Sequence, residues 1–380
     1  MKSGPSRPSR GARALLALGT FFACFALVEV AWRVYLFQFA PPDRLYKWAR
    51  LTDIPKEQQL YTPHPYLPYA LSPGYRSTDG RNRVNALGFR GDEITREKPP
   101  GVYRIACLGG STTYTAVDDY KLTYPHLLGR FLRERHGHPE VEVINAGVSG
   151  YTSWENLVNF QFRVLDLDPD LIVLYLAVND AKARLVEPSA YLSDNSGYRR
   201  PLDLQYSVWE KSLFIHYLFV QWGWSETNSL ERRARRPGFE VEGLPVRRRD
   251  RTPEEETEAQ HRLLQVVEEN PPVFFERNLR NLVALARENH VAVLLTSWTY
   301  LTELGGDMAE PYYQKMVAEH NAVSRRLAEE MGTFYYDFAA EMPKESRLFK
   351  DCMHVNEEGS PVMADLFARF IAREILPASG

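Results

Sequence analysis

At 380 residues, with 44% hydrophobic, 12% aromatic and 25% charged residues, the chain carries enough apolar material for a large core and is not a disordered polypeptide. A formal net charge of -3 excludes a general electrostatic grip on DNA or RNA. Cys24, Cys107 and Cys352 make neither a disulfide framework nor a CxxC metal pattern, and no HExxH or clustered ligand spacing occurs, so no metal or other cofactor is expected.

Lys2, Arg7, Arg10 and Arg13 precede an uncharged apolar run from 14 to 28, and apolar character continues past Glu29 and Arg33 to position 40. About 20 apolar residues cross a bilayer, so 14–38 is expected to be a transmembrane signal anchor. Glu29 and Arg33 stand at i and i+4, where they can pair near the outer boundary, and Trp32, Tyr35 and Phe37 suit that boundary. The basic leader, 1–13, predicts a cytoplasmic amino terminus and an extracytoplasmic remainder, periplasmic or extracellular. A cleaved signal peptide is the competing reading, but no small-x-small cleavage site follows the run.

Residues 41–100 are rich in proline, tyrosine and turn formers and read as a linker and irregular covering segment. From 101 to 376 short apolar runs alternate with helical stretches, the pattern of an α/β domain with a mainly parallel sheet. Strands are expected at 104–108, 141–145, 171–176, 291–297 and 333–338. Helices are expected at 124–135, at 154–165, around Leu279, Leu282, Val283 and Leu285, and at the end around Met363, Leu366, Phe367, Phe370 and Ile371. The third strand is apolar throughout, which implies burial on both faces. An insertion at about 185–272 exceeds what one crossover helix needs. It holds Arg232, Arg233, Arg235 and Arg236, then Arg247, Arg248, Arg249 and Arg251, then Glu254, Glu255, Glu256 and Glu258. A solvated, partly mobile loop is the plain reading; a lid, or a surface for an anionic glycan or lipid headgroups, is the sharper one.

Candidate chemistry sits where the strands end. The first strand runs into Gly109-Gly110-Ser111, whose glycines permit a sharp turn that leaves the serine exposed at a helix start. The same turn could cradle a phosphate, but neither a GxxxxGK[ST] nor a GxGxxG pattern occurs. The second strand is followed by Asn145-Ala146-Gly147, the third by Asn179-Asp180, and Asp351 and His354 precede the last helix. In a parallel sheet such residues converge on one edge. Ser149 lies in no GxSxG elbow, because the fifth residue is Tyr151.

These four blocks, in this order, resemble the SGNH (GDSL-like) hydrolases over roughly residues 103–375, and 85–90 is similar to a segment that precedes the core in membrane-anchored members. The resemblance implies a three-layer αβα, flavodoxin-like fold with a five-stranded sheet and a Ser111–His354–Asp351 triad. It also implies an oxyanion hole made by the backbone N–H groups of Ser111 and Gly147 and the side chain of Asn179. Two positions depart from the common pattern: Gly110, where many members have aspartate, and Ala177, where a glycine is usual. The function implied is a serine esterase cleaving an acyl or acetyl ester through an acyl-enzyme, on an extracytoplasmic glycan or lipid. The alternatives are acyl transfer to a cell-surface glycan, and a catalytically silent glycan-binding protein.

Overall fold

The computed structural model describes residues 9–55, 58–199, 206–225 and 252–377. Two compact units divide the chain: Met1–Pro55 with Asp203–Arg233, and Lys56–Leu202 with Ala234–Gly380. The arginine runs of the insertion lie outside the described residues.

In the first unit Ser9 caps a helix, Arg10–Val34, through its hydroxyl, and a π-helical turn, Tyr35–Phe39, extends it. Arg10–Phe39 spans 30 residues, long and apolar enough to cross a membrane, and the Arg10–Val34 part has no buried residue. Helix Pro42–Trp48 follows. The unit regains the chain at the insertion, where the turn Val208–Lys211 leads into helix Leu213–Gln221. Glu29 pairs with Arg33 at 2.6 Å, as the i, i+4 spacing predicts.

The second unit opens with a short antiparallel pair, β1 (Tyr61–Thr62) and β2 (Ala70–Leu71). Five parallel strands form its centre: β3 (Tyr103–Gly109), β4 (Val141–Asn145), β5 (Leu171–Tyr175), β6 (Ala292–Thr296) and β7 (Phe334–Tyr336). Their order is β4-β3-β5-β6-β7. β5 is wholly buried at the middle, as its unbroken apolar run requires. Alternation along β3 sends Ile105 and Cys107 to one face and Ala106 and Leu108 to the other. The first face packs on helices Tyr124–Arg135 and Gly359–Glu374, where the rings of Tyr124 and Phe367 stack at 5.4 Å. The second packs on Phe160, Val164 and helix Val273–Glu288, through Leu279, Leu282 and Val283. Each such side chain contributes roughly 1.5–3 kcal/mol by leaving water.

Three details differ from the pattern read in the sequence. The helix expected at 154–165 is Ser153–Asn159 followed by a π turn, Phe160–Val164. β7 is shorter than 333–338 because it pairs only with β6, over three residues, and Phe338 already starts a new helical turn. The acidic end of the insertion is ordered: Thr252 and Glu255 form a capping box for helix Pro253–Glu269, and its acidic first turn suits the helix dipole. All three cysteines are free, with Cys107 and Cys352 buried.

Candidate active site

Ser111 begins a one-turn helix, Ser111–Tyr114, directly beyond β3. Its hydroxyl oxygen lies 2.7 Å from His354 Nε2. His354 sits in a loop closed by a bridge between Phe349 and Val355 and by the Lys350 N–H, which donates to the His354 carbonyl at 2.8 Å. Both Asp351 oxygens stand 2.9 Å from His354 Nδ1, and Oδ1 also accepts the backbone N–H groups of Met353 (2.8 Å) and His354 (2.9 Å). Burial by itself would push the Asp351 carboxyl up, but hydrogen bonds and charge from His354, with the two backbone donors, outweigh it and hold the pKa at about 2. An ionised carboxylate only accepts, so Nδ1 carries the ring proton and Nε2 is left to accept from the Ser111 hydroxyl. The sequence placed these three residues together, and the chain folds them into one hydrogen-bonded line.

Asn179 and Gly147 lie at the same sheet edge, with partners the sequence did not disclose. Asn179 Nδ2 donates to the Tyr151 carbonyl at 2.9 Å, and the Gly147 N–H donates to Asn145 Oδ1 at 3.0 Å. Space requires glycine at 147, where the clash is with backbone, and limits position 110, where it is with a side-chain amide. A Cβ at Gly110 would collide with Asn179 Nδ2, and one at Gly147 with the Tyr114 backbone nitrogen. Ala177 is buried, at 3% exposure, among the apolar residues beneath the site.

Arg90 is the largest omission of the sequence reading, which noted its segment but gave it no role. It is 3% exposed, and among the described residues no carboxylate is a hydrogen-bond partner. Its guanidinium donates to the carbonyls of Tyr114 (2.7 Å), Thr115 (2.5 Å) and Val117 (2.7 Å), and to Asn82 Oδ1 (2.9 Å), while stacking 4.1 Å over the Tyr114 ring. It thus fastens the turn after Ser111, where Thr115 adopts φ +65. Only the five-donor fork of an arginine satisfies so many carbonyls at once.

Asp180 supports the other wall. It accepts the backbone N–H (3.0 Å) and hydroxyl (2.5 Å) of Ser153, and Asn278 Nδ2 donates to that hydroxyl at 3.0 Å. Burial raises its pKa to about 7, against the Ser153 hydrogen bonds and with help from the nearby Glu155 charge. For an acid whose folded pKa is raised, stability is full below the unfolded value and is lost as pH rises through the folded one. The cost of ionisation is on the order of 4 kcal/mol at most. Urea unfolding of Asp180→Asn against wild type should therefore show the variant gaining relative stability as pH climbs from 5 to 8; a pH-independent difference would refute the assignment.

The sequence model of the GDSL-like Lipase/Acylhydrolase family matches residues 107–360, more than half of the chain. No curated protein matches the sequence. Similar solved structures include a lipase/acylhydrolase from Enterococcus faecalis, 16% identical, covering 73% of this chain and 98% of its own, with a TM-score of 0.42. An acetylxylan esterase from Geobacillus stearothermophilus is 14% identical, covers 73% and 97%, and has a TM-score of 0.43. A GDSL-like lipase from Bacteroides thetaiotaomicron is 16% identical, covers 72% and 89%, and has a TM-score of 0.36. With its family's sequence pattern matched from 107 to 360, and a five-stranded parallel sheet between helices, the chain belongs to the GDSL-like lipase/acylhydrolase (SGNH) family and is a hydrolase acting on ester bonds.

Proposed function

We propose that the protein is a membrane-anchored serine esterase that removes an acyl or acetyl group from an extracytoplasmic glycan or lipid through an acyl-enzyme on Ser111. The observation that carries this reading is the unbroken line from Ser111 Oγ through His354 to Asp351, at 2.7 and 2.9 Å. Ser111 Oγ attacks the ester carbonyl as its proton passes to His354 Nε2, and Asp351 steadies the imidazolium. The oxyanion is met by the Ser111 N–H and the Asn179 amide; the Gly147 N–H joins them by exchanging Asn145 Oδ1 for the oxyanion. Each such donor is typically worth roughly 100- to 1000-fold in rate. The tetrahedral intermediate expels the alcohol, which takes the proton from His354. Water, activated by the same imidazole, then releases the acid and restores Ser111. A sugar hydroxyl in place of that water would make the reaction acyl transfer.

The membrane part of the reading is supported by the apolar Arg10–Phe39 helix and the basic residues before it, a pattern that favours a catalytic unit outside the cytoplasm. A silent binding protein would bury or misplace its histidine, whereas His354 is 17% exposed and within hydrogen-bond reach of the serine.

The full chain in detergent should be labelled by a fluorophosphonate probe on Ser111, and the His354→Ala variant should not. An adduct on another serine, or none on folded wild-type protein, would overturn the proposal.

A further inference from the structure

The insertion does something that its length and its arginine runs do not suggest. Its helix, Leu213–Gln221, begins against the Glu29 carboxylate of the amino-terminal helix. Glu29 accepts from the Ser212 hydroxyl at 2.6 Å and from the backbone N–H groups of Leu213 and Phe214, each at 3.0 Å. Arg33, paired with Glu29, also donates to the Lys211 carbonyl at 3.1 Å. A carboxylate and a guanidinium late in an apolar helix are costly to place near lipid unless they are satisfied. Here the start of the insertion helix satisfies both.

The two helices then run in the same sense. Phe214 lies against Phe25 and Trp32, and one turn later Tyr217 lies between Trp32 (4.5 Å) and Trp48 (5.4 Å). The element is rigidly closed: Ser207 and Glu210 form a capping box, and His216 Nδ1 meets Glu210 Oε1 at 2.8 Å inside it. Yet its outer side is apolar and open. Val208 is 74% exposed, Trp209 70%, Trp222 57% and Trp224 70%. Tryptophan at such exposure beside the end of a membrane-length helix has the amphipathic character of a bilayer boundary, where the indole ring meets acyl chains and its N–H meets headgroups.

We infer that residues 208–224 are a second membrane contact, a short interfacial element docked on the outer end of the amino-terminal helix, with Trp209, Trp222 and Trp224 set into the headgroup boundary of a phospholipid bilayer. The inference rests on the anchor part of the proposed function. Glu29, Arg33 and Trp32 hold the middle of this element, from Lys211 to Tyr217, against the last turns of Arg10–Val34, so lipid around those turns lies beside the exposed tryptophans that flank it.

The test uses the full chain reconstituted in phosphatidylethanolamine–phosphatidylglycerol vesicles, with p-benzoylphenylalanine replacing one aromatic residue at a time and lipid adducts read by mass spectrometry. Trp209, Trp222 and Trp224 are the test positions. Phe22, on the amino-terminal helix, reports the anchor, and Phe162, 60% exposed on the catalytic unit, reports background. Photolysis at Trp222 and Trp224 should give lipid adducts at a yield close to that at Phe22 and at least about tenfold above Phe162. Adducts at Phe22 with Trp209, Trp222 and Trp224 all at the Phe162 level would overturn the inference and leave the anchor standing. No adduct at Phe22 would overturn the anchor and this inference with it. Each replacement is of an exposed ring, and retained ester hydrolysis confirms that the labelled protein is folded.

Discussion

Ser111→Ala is expected to lower kcat by about a million-fold on an activated acetyl ester, because nucleophile and base act as one unit. His354→Ala should cost nearly as much, and the double variant no more than either, since removing one partner of the 2.7 Å pair already disables the other. A stopped assay with nitrophenyl acetate, run on protein whose folding is checked by circular dichroism, measures all three. Losses that multiply across the double variant would show that the two side chains work separately and would sink the triad. The substitution leaves the core alone: Ser111 is only partly buried and heads a single helical turn, so the unfolding midpoint should stay near that of wild type.

Asp351→Asn should lower kcat by about ten-thousand-fold with little change in KM. The carboxylate is what keeps the proton on Nδ1 of His354; an amide can offer its NH₂ to that nitrogen instead, and the ring then turns its N–H toward the serine it should deprotonate. The acid side of the profile gives a second check. The carboxyl is held at about 2, below the usual carboxylate range. A depressed acid contributes stability that is present above its unfolded pKa and lost as pH falls through the folded one. The stability gap between wild type and variant should thus be constant near neutrality and close below pH 4. With the carboxylate side chain 47% exposed, solvent screens much of this effect, so activity is the sharper measurement.

The parts of this architecture that the sequence disclosed are those written in local period. The helix Tyr124–Arg135 and β4 at 141–145 lie where the apolar spacing puts them, and Ser111, Asp351 and His354 come together as their places after strands and before the last helix suggest. What remained hidden depends on contacts between distant segments with no period to betray them. Arg90 looks like one more surface arginine until the carbonyls of 114–117 gather around it. Glu29 pairs with Arg33 as spacing predicts, yet its main partners lie more than 180 positions away in the insertion. Gly110 reads as mere turn chemistry, and nothing in its spacing shows that the Asn179 amide lies close over it. Asp180 follows Asn179 with no sign in the sequence of its partners, and the hydrogen bonds from Ser153 tie it to the start of the neighbouring helix.

The separation of Ser111 from His354 by 243 positions also has a bearing on biosynthesis. Strand β3 and its serine emerge from the ribosome long before the loop that supplies the base, and the last helix, stacked on Tyr124 through Phe367, must follow before that loop has anything to rest on. At roughly 5–20 residues per second, an unfinished chain spends on the order of ten seconds or more with a serine but no partner for its proton. If Ser111 and His354 act as the proposed pair, an unfinished chain is hydrolytically inert, and so is any fragment cut before position 351.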